Sequence, residues 1–182
     1  MSSRVSTFEE LKIGNFEYLF IVVEWNDYQG RVATEIEKHT DTFGAHLGIK
    51  GLIVKAYKKA TYSTADQVLQ KNWPKDIQKK LKRSQDPIII IIENDFSSFD
   101  PENNRWALIE FVGFYKKTDG IPKLFDTLAT ITSKEENLFD FLKKYKKKGS
   151  VKKILKYFEF KPGILGFSIN GNAIIEDLLD ID

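Results

Sequence analysis

The chain has 182 residues, 42% hydrophobic and 30% charged, a balance that fits one folded domain and not a disordered segment. It contains no cysteine, which excludes disulfides, thiolate nucleophiles, zinc knuckles and iron–sulfur clusters within the chain. The net charge of +2 is small for a dedicated DNA binder, no signal peptide follows Met1, and the longest apolar run, Ile88 to Ile92, is far short of the roughly 20 residues that cross a bilayer, so a cytoplasmic protein is expected.

Ser6-Thr7-Phe8-Glu9 has the form of a capping box and predicts a short helix ended by Gly14. Phe16 to Glu24 is rich in aromatic and β-branched residues and predicts a strand inside a sheet. Gly30 to Leu47 predicts a helix, with Val32, Ile36, Phe43 and Leu47 as its buried stripe and Gly48 as its stop. A strand is expected over Ile49 to Tyr57. Ser63 opens a helix with Ala65, Val68 and Leu69 inward; Pro74 breaks it, and a new turn runs to about Lys82.

Pro87 to Glu93 holds five consecutive isoleucines, which cannot alternate, so both faces of that strand must be covered. A polar loop, Asn94 to Asn104, leads to a strand over Arg105 to Tyr115. A helix follows from about Pro122, with Leu124, Phe125, Leu128 and Ile131 inward. Ser133-x-x-Glu136 predicts a second capped helix ending at Gly149, and Ser150 caps a third. Pro162 to Ile169 predicts a last strand and Asn172 a last cap. This alternation predicts a three-layer α/β fold, a mixed central sheet flanked by helices, with residues 1–132 as its core and 133–182 as an extension packed on the same domain.

The first 130 or so residues resemble a thioredoxin-like domain. Glu24-Trp25 follows the first core strand, then Asn26-Asp27-Tyr28-Gln29, then a helix; thioredoxins carry a Trp there and the redox Cys-x-x-Cys at the helix start. Asp86-Pro87 stands before the third core strand, where the family has a cis-proline beside its active site, and a hairpin and a helix follow. Here Asn26 and Gln29 stand where the cysteines would be. The resemblance therefore implies the fold without its thiol chemistry. The alternative is a Rossmann-like open sheet, and the two differ in one strand. Ile88–Ile92 runs antiparallel to Phe16–Glu24 in the first layout and parallel to it in the second.

Several groups could carry chemistry. Glu24, Asp27, Glu93 and Asp95 follow apolar strands, with Asp100 beyond them; gathered at the carboxyl ends of parallel strands, they could hold Mg²⁺ for phosphohydrolase or nuclease chemistry. The simpler reading is that acids end strands and open turns. His39 and His46 lie on one helix without the three or four convergent ligands a zinc site needs. Gly163 to Asn172 is a glycine-containing turn with neither the Walker nor the dinucleotide spacing.

Lys143, Lys144, Lys146, Lys147, Lys148, Lys152, Lys153 and Lys156 form a dense basic run. Lys75, Lys79, Lys80, Lys82 and Arg83 form a smaller one. Each fits a solvated helix face; its functional use would be an acidic partner or non-specific, salt-sensitive nucleic-acid binding. The resemblance, with its thiol chemistry absent, thus implies a non-catalytic binding or scaffold module without cofactor or metal, with the Mg²⁺-dependent enzyme and the nucleic-acid binder as alternatives. The module's expected protein partner would meet Trp25, Asn26, Asp27, Tyr28, Gln29 and Pro87.

Overall fold

A computed structural model describes residues 1–5, 8, 14, 16–24, 31–56, 64–84, 87–93, 95–111, 120–134, 137–140 and 166–170. The strands are β1 (Ser2–Val5), β2 (Tyr18–Val23), β3 (Gly51–Ala56), β4 (Ile88–Ile92), β5 (Trp106–Glu110) and β6 (Gly166–Asn170). The helices are α1 (Arg31–Leu47), α2 (Thr64–Leu69), α3 (Lys75–Arg83) and α4 (Gly120–Ser133).

The strands make one mixed sheet in the order β1-β3-β2-β4-β5-β6. β1, β3 and β2 pair in parallel, and so do β5 and β6. β4 pairs antiparallel with both β2 and β5, so it alone opposes the other five. This corrects the Rossmann-like alternative, which needed β4 parallel to β2. The α/β class and the mixed sheet between helices are as expected. β6 joins the same sheet through β5, so this part of the C-terminal segment extends the core's own layer.

Two apolar layers form, one on each face. One holds Phe20, Ile36, Phe43, Ile89, Ile91, Leu124 and Phe125, beneath α1 and α4. The other holds Leu19, Ile21, Ile88, Ile90, Ile92, Trp73, Ile77 and Leu81, beneath α2 and α3. The isoleucine run is thus shared between the two layers, as a strand's two-residue period demands. Gly48, at φ +57°, ends α1 in the left-handed conformation that glycine adopts without strain. Gly44 lets β1 approach α1, because a Cβ there would lie 2.7 Å from the Met1 carbonyl carbon.

Three further expectations are revised. Ser2–Val5, where no element is predicted, is an edge strand on β3. The loop expected to be polar over 94–104 buries Phe96, Phe99 and Pro101, and the indole of Trp106 donates to the Pro101 carbonyl at 3.0 Å. Ser133 is the last residue of α4, where its hydroxyl donates to the Thr130 carbonyl. The cap of the next helical turn, 138–140, is Asn137, whose Oδ1 accepts from the amides of Phe139 and Asp140 at 3.1 Å each. The expected capping box at Ser6 and the helices expected after Ser150 and Asn172 lie outside the described residues. No helix among the described residues is long and apolar enough to cross a membrane.

Candidate functional site

The β2–β4 register pairs Val23 with Ile88. Glu24 and Pro87, one step beyond, therefore share one end of the sheet, at the entrance to the segment before α1. Pro87 is buried and Glu24 half-buried. Trp25, Asn26, Asp27, Tyr28 and Gln29 lie outside the described residues, as does Asp86 and so the Asp86–Pro87 bond. Glu110 pairs with Ile88 at this same end and accepts from Lys80 Nζ at 2.8 Å, which ties α3 to β5.

The opposite end of the sheet is built around Glu93. Its carboxylate takes both prongs of Arg105, Nε at 2.9 Å and Nη2 at 2.6 Å, a bidentate geometry that fixes orientation as well as charge. Asn137 Nδ2 donates to the same carboxylate at 3.3 Å, and the Arg105 guanidinium lies 5.4 Å from the centre of the Phe139 ring. Tyr18 accepts the Leu138 amide at 3.1 Å. Burial pushes the Tyr18 phenol above its ordinary value, with a smaller opposing effect from that hydrogen bond. These contacts fasten the start of the 137–140 turn to the sheet and leave Glu93 committed to a cation.

Glu24 and Glu93, which the alternative Mg²⁺ reading needed to bring together, do not meet. Val23 pairs with Ile88 while Leu19 pairs with Ile92, so Glu24 and Glu93 follow opposite ends of neighbouring strands. A strand of this length separates them by roughly 17 Å, too far to share an ion. Asp95 begins the turn after Glu93, and its carbonyl accepts from Ser98. Asp100 is spent on the turn itself. Hydrogen bonds from the Glu102 amide and then the Asn103 side chain hold its carboxyl below the ordinary value. Among the described residues no group of three or more His, Asp or Glu side chains could hold a metal. The histidines are separate: His39 lies 3.5 Å from Glu35, and His46 lies 3.3 Å from Asp126.

A polar depression that the sequence reading missed lies where β1 and β3 meet α1, lined by Ser2, Arg4, Glu37, Thr40, Asp41 and Lys55. Glu37 bridges Arg4 and the buried Lys55. One lysine inside the otherwise apolar strand Gly-Leu-Ile-Val-Lys-Ala was the available signal, since a buried cation demands a partner. The amino group of Met1 lies beside it, against the Gly44 and Gly51 carbonyls, and its burial lowers its pKa. Both cations of the depression, Arg4 and Lys55, are paired with the one Glu37 carboxylate, which makes it a structural clasp.

Of the basic groups, Lys143, Lys144, Lys146, Lys147, Lys148, Lys152, Lys153 and Lys156 lie outside the described residues. The smaller group is on α3: Lys75, Lys79, Lys82 and Arg83 are exposed, and Lys80 is half-buried against Glu110. Scans of the sequence against protein-family models and curated proteins, and of the fold against solved structures, found no match.

Proposed function

We propose that this chain is a non-catalytic binding module on a redox-inactive thioredoxin-like scaffold, which meets a protein partner through Trp25 to Gln29 and the adjoining Pro87 end of the sheet. The observation that carries the reading is the single reversed strand. β4 runs against β2, the direction that the resemblance implies, and so brings Pro87 beside the end of β2 from which Trp25 to Gln29 continue. Asn26 and Gln29 occupy the positions where that family has its sulfurs, so the same location is left with amides. Amides, an indole and a phenol recognise surfaces by hydrogen bonding and apolar contact, the composition favoured at interface anchors.

The reading is tested by placing a photo-crosslinking amino acid at Tyr28 and, in a separate protein, at exposed Ser98. The expected result is a discrete protein adduct from the native source at position 28 and none at 98. Equal labelling at the two positions, or none at either, overturns the reading.

A further inference from the structure

We propose that the outer face of α3 is a docking surface for an acidic protein segment. At about 100° per residue, Lys75, Lys79, Lys82 and Arg83 fall within one arc of roughly 100°. That arc lies opposite the buried pair Ile77 and Leu81. All four are exposed, and none has an ion-pair partner among the described residues. The helix's own acid, Asp76, is half-buried in the first turn, and Lys80 is taken by Glu110.

Helix stability does not account for this stripe. Cations in the last turn complement the helix dipole, which covers Lys82 and Arg83, but Lys75 opens the helix at the end where the dipole disfavours positive charge. Lys75–Lys79, Lys79–Lys82 and Lys79–Arg83 are like-charge neighbours at helical spacings of three and four, which repel. Local choices that oppose local stability collect at functional surfaces.

Charge complementarity selects an anion, and the surroundings select a peptide. Trp73, Phe96 and Phe99 near α3 are buried, and the exposed large apolar residues among those described are Met1 and Ile49 only. Among the described residues the stripe therefore has no exposed ring on which bases of a single strand could stack. From Lys75 to Arg83 it spans roughly 12 Å, two turns of a helix. A partner helix with acids at i, i+4, i+7 and i+8 presents the same spacing in the opposite charge. This assignment does not draw on the Trp25 segment, and either can fail without the other.

The test uses fluorescence anisotropy with a labelled peptide that has glutamate at those four positions on an alanine–glutamine background. A peptide with glutamine at the four positions and a short DNA duplex are the other two probes. The acidic peptide is expected to bind at low salt and to weaken as salt rises. The Lys79→Glu/Lys82→Glu protein is expected to lose about tenfold or more in affinity, as reversal of paired charges does. Glutamate suits a helix as well as lysine does, so the variant keeps its fold. Unchanged affinity in that variant, a loss seen only on reversing Lys146, Lys147 and Lys148, or tighter binding of the duplex than of the peptide each overturns the proposal.

Discussion

α1 and α3 lie on opposite faces of the sheet and obey the same rule on their inner sides, but they treat their outer charges in opposite ways. On α1 several charges are stitched to neighbours. Glu37 joins Arg4 of β1 and Lys55 of β3, Asp41 accepts from Ser2 at 2.7 Å, and His46 meets Asp126 of α4 at 3.3 Å. On α3, Lys80 is stitched to Glu110, while Lys75, Lys79, Lys82 and Arg83 are not stitched to any described residue. Amphipathic spacing decides which side of a helix goes inward. What the outer side is for depends on which elements flank it. α1 is flanked by β1 and by α4, so Glu37, Asp41 and His46 help to hold the fold; Lys75, Lys79, Lys82 and Arg83 of α3 meet no such partner among the described residues.

The largest effect that could break this comparison is in the packing beneath the two helices. Phe43 of α1 stacks on Phe125 at 4.4 Å and meets Phe20 edge-on at 5.1 Å. Phe43→Ala is expected to cost about 3–5 kcal/mol, and Leu81→Ala on the nine-residue α3 about 2–3 kcal/mol, measured by urea unfolding. A larger loss at Leu81 would mean that α3 and not α1 is the more firmly held helix.

The next effect tests the stitching directly. Lys55 is 4% exposed and Glu37 is its carboxylate partner. Glu37→Gln is expected to destabilise by about 2 kcal/mol, below the full cost of orphaning a buried charge because the Glu37 carboxylate is partly solvated. Adding Lys55→Met should recover most of that loss, since the buried cation is then gone. If the double variant is no more stable than Glu37→Gln alone, the clasp does not work through charge.

Much of the layered fold was legible because it rests on apolar periodicity. Val32, Ile36, Phe43 and Leu47 on α1, and Leu124, Phe125, Leu128 and Ile131 on α4, are all buried where their spacing predicts. What periodicity cannot express was missed. Ser2–Val5 has no apolar alternation, and it becomes a strand because its backbone completes the ladder on β3 while Arg4 reaches Glu37. Asn137 outcompetes Ser133 as a cap because Ser133 still belongs to α4 when the chain turns. Glu24 and Glu93, each just past an apolar strand in the sequence, are separated by the direction of β4, which no local pattern encodes. Of the candidate partner loop only Pro87 is among the described residues, so the sequence resemblance and the strand direction on either side of it support that site together.

The smallest expected effect sharpens the comparison most. A helix whose charges serve its own stability should not begin with a lysine, because the unpaired amides of the first turn already present positive charge there. Lys75 is exposed at the start of α3, directly after Pro74. Lys75→Glu reverses the unfavourable term and also offers Lys79 an opposite charge four residues on, the favourable order for such a pair. It should therefore raise stability by about 0.5 kcal/mol in urea unfolding at low salt, with most of the gain erased by added salt. The same substitution should weaken the acidic peptide. A protein that becomes more stable as it binds less well has kept that lysine for its surroundings; one that loses stability would put Lys75 in the service of the helix and return α3 to the same class as α1.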